Sequence, residues 1–154
     1  MGNYVWVFVQ PLYVPATAIV LDLGKRLGRS TRTWTASDSA ELASVARDES
    51  AFFASASSVE SLCTWTELDH RRDDFSREVR AYSLLLCGRV AEAVAQLRSL
   101  AASYPEDDRP FVTEARHRNA ELAALAESSL DAAVAQLDAW EAKTIAALRV
   151  ADLP

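Results

Sequence analysis

The chain of 154 residues lacks most of the features that mark secreted and membrane proteins. It has two cysteines, which are too few for the disulfide framework of a small secreted domain. It has no apolar run of about 18 residues, so no transmembrane helix is predicted. Its first residues do not combine a basic region, an apolar run and a small-residue cleavage site, so no signal peptide is predicted. We therefore expect a cytoplasmic protein that has no membrane partner.

The two cysteines, Cys63 and Cys87, lie 24 residues apart in apolar helical surroundings and do not form a CxxC pair. Free cysteine usually behaves as a small hydrophobe, so we expect two buried free thiols, with a single bridge between them as the alternative. A nucleophilic thiolate needs a nearby base together with an electropositive setting, and neither cysteine has this combination in the sequence. Buried free thiols favour a reducing compartment.

Residues that commonly carry catalysis are also scarce. The chain has two histidines, His70 and His117, and no GxSxG, GxxxxGK[ST] or GxGxxG motif. The run at 69–74 (DHRRDD) places carboxylates three and four residues from His70, a spacing that suits metal ligands on one helix face. The two arginines inside this run would repel a cation, so a solvated charged segment is favoured. We predict no enzyme activity, no metal and no cofactor.

The overall charge argues against binding of nucleic acid or anionic lipid over a large surface. Half of the residues are hydrophobic and a quarter are charged, as in ordinary globular chains. The formal net charge of −6 argues against a general electrostatic footprint for nucleic acid or anionic lipid. Any binding of that kind has to be local.

The β-branched and aromatic residues at the start of the chain predict a small β meander over residues 1–36. Residues 4–10 (YVWVFVQ) suit a strand because side chains branched at Cβ crowd the preceding turn of a helix. After a proline-bounded loop, residues 17–23 predict a second strand that ends at Gly24, and residues 31–35 predict a third. If the first strand lies at the sheet edge, its unpaired backbone groups favour self-association.

From residue 37 the apolar period becomes helical, and capping signals precede several of the periodic segments. The predicted fold class is α+β, mostly α, with the three-stranded antiparallel meander packed on about six helices. The meander (1–36) and the helical region (37–154) are predicted to form one compact unit. The predicted helices cover about 39–55, 58–68, 74–87, 89–103, 111–127 and 130–149.

A five-residue segment occurs twice in the helical region. Residues 93–97 (AVAQL) recur as residues 133–137, 40 residues later and at a matching place in the second helix of a predicted hairpin. A period of this length built from helix pairs is typical of an α-solenoid. The region 74–149 resembles tetratricopeptide repeats, and the residues that carry the resemblance are Ala81, Leu84, Gly88, Ala93, Leu97 and Pro105.

The resemblance has departures, and an alternative fold explains the same residues. Arg77 and Arg80 stand where the family has large apolar residues, Leu100 replaces a small one, and Ser128 stands where the first copy has Gly88. The final proline is missing from the second copy. An unrelated four-helix bundle also needs small residues where its helices cross. The resemblance implies repeat-like antiparallel hairpins that bind another protein.

Four basic residues lie close together beside two glycines, in what the sequence predicts as the loop joining the second and third strands. They are Lys25, Arg26, Arg29 and Arg32, and Trp34 is near enough to stack on a ligand. Glycines let backbone amides approach an anion, and arginines pair with phosphate or carboxylate. A solvated hairpin loop is the plain alternative. These five residues are the predicted partner-binding site.

The sequence therefore predicts a non-catalytic protein–protein interaction module of a bacterial cell, such as an adaptor, an assembly factor or an immunity-type inhibitor. Residues 7–15 (VFVQPLYVP) resemble small bacterial domains encoded near toxin and immunity genes, which implies the last of these roles. The expected partner is another protein, with self-association through strand 4–10 as a further possibility. The alternatives are binding of nucleic acid or a phosphate ligand through residues 24–32 and, least favoured, a metal-dependent enzyme that uses residues 69–74.

Overall fold

The computed structural model describes residues 3–16, 23–30, 43–44, 47, 50–54, 56–68, 73–104 and 109–149. In the N-terminal part the bounds are β1 (Asn3–Phe8), β2 (Gly24–Ser30), α1 (Ser50–Ala54) and α2 (Val59–Leu68). The remaining helices are α3 (Asp74–Leu86), α4 (Val90–Ser103), α5 (Pro110–Ser128) and α6 (Leu130–Leu148). Residues 43, 44 and 47 are also helical.

The predicted fold class, with a three-stranded meander packed on helices, is wrong. Most of the described chain is helical, and its β structure is a ribbon in which β1 pairs antiparallel with β2. Of the predicted strand at 17–23, Leu23 lies in a turn and residues 17–22 fall outside the described residues, as does the predicted strand at 31–35. The second strand is instead Gly24–Ser30, which the sequence predicts as a loop. Glycine, lysine and arginine are weak strand formers, so this segment is extended because it pairs with β1 and not through its own propensity.

Helices α3 to α6 form the main body. In chain order each packs against the next, and α6 also contacts α3, where the Tyr82 and Trp140 ring centroids lie 5.7 Å apart. The four predicted helices of this region are therefore confirmed, and the contact between α6 and α3 brings them into one group. Helix α2 also packs against α3.

The hairpin turn between α3 and α4 forms where the sequence predicts it. Gly88 has φ +73°, a backbone conformation that residues with a Cβ rarely adopt. The Gly88 N–H donates to the Leu85 carbonyl at 2.9 Å, and the Arg89 N–H donates to the Leu84 carbonyl at 2.8 Å. These two hydrogen bonds are those of a Schellman motif, which satisfies carbonyls that the helix end leaves unpaired.

The matching leucines of the five-residue segment lie in the core. Leu97 and Leu137 are both fully buried. Ala93 and Ala133, at the start of the same two segments, are fully buried as well. Gln96, the residue before Leu97, is half-buried.

The segment between the two strands joins the ribbon to the helical body. Val14 and Leu23 are fully buried in the same core cluster as the helices. The Tyr13 and Ser83 hydroxyl oxygens are 2.7 Å apart in a hydrogen bond to α3, and the Ala16 N–H donates to the Thr144 hydroxyl of α6 at 3.4 Å. The ribbon is therefore held at its base.

Candidate functional site

The predicted partner-binding residues that the structure describes lie along β2. Lys25, Arg26 and Arg29 occupy one strand, and their partners in β1 are Val7, Trp6 and Tyr4, respectively. Arg32 and Trp34 lie outside the described residues. The basic segment is therefore a paired strand and not the glycine-rich loop that the sequence predicts.

The basic strand is interrupted by a bulge. Val5 pairs with Gly28 and Trp6 pairs with Arg26, so Leu27 is an extra residue on β2 with no counterpart on β1. A bulge of this kind bends the strand and increases its local twist. It separates the pair Lys25 and Arg26 from Arg29 along the strand.

The hydrogen bond between Val9 and Leu23 fixes which backbone groups face which edge of the ribbon. The Val9 N–H donates to the Leu23 carbonyl at 2.9 Å, in the same register as the strand pairs that follow. Hydrogen-bonded and non-hydrogen-bonded pairs alternate in an antiparallel ladder. The backbone groups of Lys25 therefore face β1, and those of Gly24 and Arg26 face the outer edge of β2.

The helical body contains a polar cluster that sequence reasoning did not find. Glu78 of α3 is 4% exposed and lies beside the first half of α5. One Arg118 amino group lies 2.9 and 3.0 Å from the two Glu78 carboxylate oxygens, and the Asn119 amide donates to the carboxylate at 2.6 Å. The cluster joins the first helix of one hairpin to the first helix of the next.

Two tyrosines complete the cluster. The Tyr82 hydroxyl donates to the Asn119 side-chain oxygen at 3.1 Å and accepts from Arg118 Nε at 3.1 Å. The Tyr104 hydroxyl donates to Glu78 at 3.4 Å. Each of these side chains therefore has at least one partner inside the cluster, as buried polar groups require.

Burial sets the protonation states in this cluster. Burial raises the pKa of the Tyr82 hydroxyl well above its ordinary value, and the Glu78 carboxylate raises it further. The same two causes raise the pKa of Tyr104. Burial opposes the charge of Arg118, but the Tyr82 and Glu78 oxygens around it raise its pKa overall. At neutral pH the two phenols are neutral and Arg118 is charged, an arrangement suited to holding α3 against α5.

The sequence does contain a signal for this cluster. The apolar residues of α3 recur at helical spacing and form a stripe along one face of the helix. Glu78 lies three residues after Phe75 and four before Tyr82, so its side chain falls on this apolar stripe. A carboxylate on a buried stripe needs a cationic or hydrogen-bonding partner. The stripe alone does not say which helix supplies that partner.

The charged run at 69–74 is described only at its last two residues, which serve α3. Asp73 caps the helix, since the Ser76 N–H and hydroxyl donate to its two carboxylate oxygens at 2.8 and 2.9 Å. Asp74 pairs with Arg77 at 3.3 Å. No cluster of His, Cys, Asp or Glu in the described part of the chain is arranged to hold a metal ion. His117 is exposed on α5.

Both cysteines are free, and only one is buried. Cys63 is 2% exposed, whereas Cys87, the residue after α3, is half-buried, so the prediction of two buried thiols is wrong for Cys87. Partial burial raises the pKa of the Cys87 thiol and Glu60 raises it further, while Arg89 acts in the opposite direction. This shift is opposite to the one that activates a nucleophilic cysteine.

Comparisons with protein-family models, curated proteins and solved structures find no significant match to this chain. The resemblance to tetratricopeptide repeats therefore stays a prediction. Among the described helices, none is both long and apolar enough to cross a membrane.

Proposed function

We propose that this chain is a non-catalytic protein-interaction module of the bacterial cytoplasm, which binds an acidic surface of another protein through its basic strand. The observation that supports the proposal is the position of Lys25, Arg26 and Arg29 on one strand of a two-stranded ribbon, in a chain whose net charge is −6. Arg32 and Trp34 extend the proposed site in the sequence. The two free thiols fit a reducing compartment.

Charge and backbone geometry both favour an acidic partner at this strand. A local concentration of cations attracts an acidic surface, speeds its association and makes binding depend on salt. The backbone N–H and carbonyl of Arg26 face the outer edge of β2, so an extended acidic segment gains hydrogen bonds there together with charge pairing. The helical body then serves as the support to which residues 9–16 anchor the ribbon.

The strand geometry weakens the phosphate alternative. A glycine-rich loop binds phosphate by turning several backbone N–H groups towards one anion. Residues 24–30 are extended and paired with β1, so their N–H groups alternate between two edges. Without such convergent N–H groups, the arginines of β2 bind an anion through their side chains alone. Arginine side chains pair well with the carboxylates of an acidic protein surface.

The test is a double substitution with a charge-matched control. Arg26→Ala with Arg29→Ala removes two cations from β2, and Arg47→Ala with Arg116→Ala removes two from helical positions. Partners captured from the source cell with the wild-type chain are purified, and their affinity for both variants is measured over a range of salt concentrations. We expect the strand variant to bind about tenfold or more weakly, the control to bind as wild type, and both to keep their helical circular dichroism.

Equal binding by the wild type and the strand variant would contradict the proposed site. A gel shift with a double-stranded oligonucleotide is run in parallel. A steep salt slope there, lost in the strand variant, would favour the nucleic-acid alternative.

A further inference from the structure

The two strands of the ribbon differ sharply in charge. β1 (NYVWVF) has no charged residue, whereas β2 (GKRLGRS) has three cations in seven residues. Charged side chains at a strand edge, lysine above all, oppose pairing with another strand, and uncharged β-branched or aromatic edges favour it. Within the described residues the only strand paired with β1 is β2. The edge of β1 that faces away from β2 is therefore the one suited to a further strand without charge, whereas the cationic edge of β2 suits an acidic segment.

The register shows which β1 residues present their backbone to that edge. The Val9–Leu23 hydrogen bond makes these two residues a hydrogen-bonded pair, so Val7 is the next residue of β1 that faces β2. The bulge adds its extra residue to β2, so the alternation along β1 continues. The N–H and carbonyl groups of Tyr4, Trp6 and Phe8 point away from β2.

We propose that β1 is a self-association strand that pairs antiparallel with β1 of a second copy, about a two-fold axis at Trp6. In this register Trp6 lies opposite Trp6 of the second copy, and Tyr4 lies opposite Phe8. All three outward-facing residues then pair, which gives about six backbone hydrogen bonds, two for each hydrogen-bonded pair. The product is a four-stranded sheet with a basic β2 strand at each outer edge.

Two physical arguments select a second copy as the occupant. An isolated two-stranded ribbon is at best marginally stable, and four strands gain pairing along β1 without placing like charges opposite each other. Pairing through β2 of two copies would set cations against cations. The proposal does not depend on the proposed function, because it uses the opposite edge of the ribbon. The contact is a single strand pair, so we expect a weak, reversible dimer.

The test is a charge swap on β1 with two matched variants. Tyr4→Glu with Phe8→Glu puts glutamate opposite glutamate at both ends of the proposed pair, and Tyr4→Glu with Phe8→Lys puts glutamate opposite lysine. Within one copy, residue 4 pairs with Arg29 and residue 8 with Gly24, so glutamate at position 4 suits the ribbon in both variants. The dimer dissociation constant is measured by sedimentation equilibrium of the full chain.

We expect the wild type to dimerise, the Glu–Glu variant to dimerise at least about fivefold more weakly, and the Glu–Lys variant to recover. Helical circular dichroism and the melting temperature check that both variants fold alike. Backbone hydrogen exchange of the wild type gives a second measure, since the Trp6 N–H should become slower as the protein concentration rises. A monomer at every concentration overturns the proposal, and so does a dimer that is equally strong in both variants.

Discussion

The helical body and the β ribbon are stabilised by different means. Helices α3 to α6 pack around a shared buried core. The polar cluster around Glu78, called the Glu78 cluster below, joins α3 to α5, and each of its polar side chains has a partner. The ribbon consists of two strands, one of them rich in residues that disfavour strands, and it is anchored by Tyr13, Val14 and Leu23. The body is therefore specified by its own packing, whereas the ribbon depends on pairing and on its anchor.

This contrast assigns different roles to charge in the two regions. In the body, the charges of Glu78 and Arg118 face each other, and they fix how two helices meet. In the ribbon, the three charged residues of β2 are all cations. Their mutual repulsion is unfavourable for the isolated strand, and an acidic partner relieves it. Substitutions of charged residues in the body should therefore change stability, and substitutions of charged residues in the ribbon should change binding.

The largest expected effect comes from breaking the Glu78 cluster. Glu78→Ala leaves the Arg118 charge buried without its main partner, and removing one member of a buried ion pair costs about 3–5 kcal/mol in the free energy of unfolding. Replacing both members, with Glu78→Leu and Arg118→Met, should cost much less because no unpaired charge remains. Urea denaturation of the three proteins measures the difference. A cost below about 1 kcal/mol for Glu78→Ala would show that the pair does not stabilise the body.

The next effect tests the core positions that the recurring segment identifies. Leu97→Ala and Leu137→Ala should each lower the free energy of unfolding by roughly 2–5 kcal/mol, because both side chains are fully buried and leave a cavity. Gln96→Ala is the neighbouring control, with an expected small cost because the Gln96 side-chain oxygen has no hydrogen-bond partner to lose among the described residues. A Gln96→Ala variant as unstable as either leucine variant would contradict this division.

Local sequence signals predicted the body much better than the ribbon. The helix starts at Asp73 and Ser129 and the stop at Gly88 depend on capping and on one backbone conformation, and these are properties of a few adjacent residues. The pairing of β1 with β2 depends instead on residues that are about 20 positions apart in the chain. Residues 24–30 have little tendency to form a strand, and they are extended because they pair with β1. Glu78 shows the same limit, since its burial follows from periodicity but its contact with Arg118, 40 residues away, does not.

Alkaline pH should weaken the body through its buried tyrosines. Burial raises the pKa of Tyr13 from its ordinary value of 10.0 to about 12, and it raises that of Tyr82 further. Above pH 10 the unfolded chain loses these protons while the folded chain keeps them, so the free energy of unfolding falls with rising pH. The contribution is complete below pH 10, and its loss approaches about 1.4 kcal/mol per pH unit for each buried tyrosine.

Urea denaturation between pH 9 and 12 measures this slope, with Tyr82→Phe and Tyr13→Phe as separate controls. Each phenylalanine variant should lose stability less steeply above pH 10, because one buried phenol is no longer able to ionise in the unfolded chain. A Tyr82→Phe variant with the same slope as wild type would show that this phenol ionises in both states.

The smallest expected effect on stability is that of the basic strand, and it tests whether binding and folding are separate properties. If the two arginines serve binding, Arg26→Ala with Arg29→Ala should change the free energy of unfolding by no more than about 1 kcal/mol, because solvent-exposed charges contribute about that much at most. The melting temperature of the helical body should stay nearly constant while partner affinity falls, and the affinity that remains should depend less on salt, since the screened pairs have been removed. A melting temperature that falls together with the affinity would mean that carboxylates of the fold hold these arginines. In that case the basic strand stabilises the ribbon, and the partner surface has to be sought on the helices.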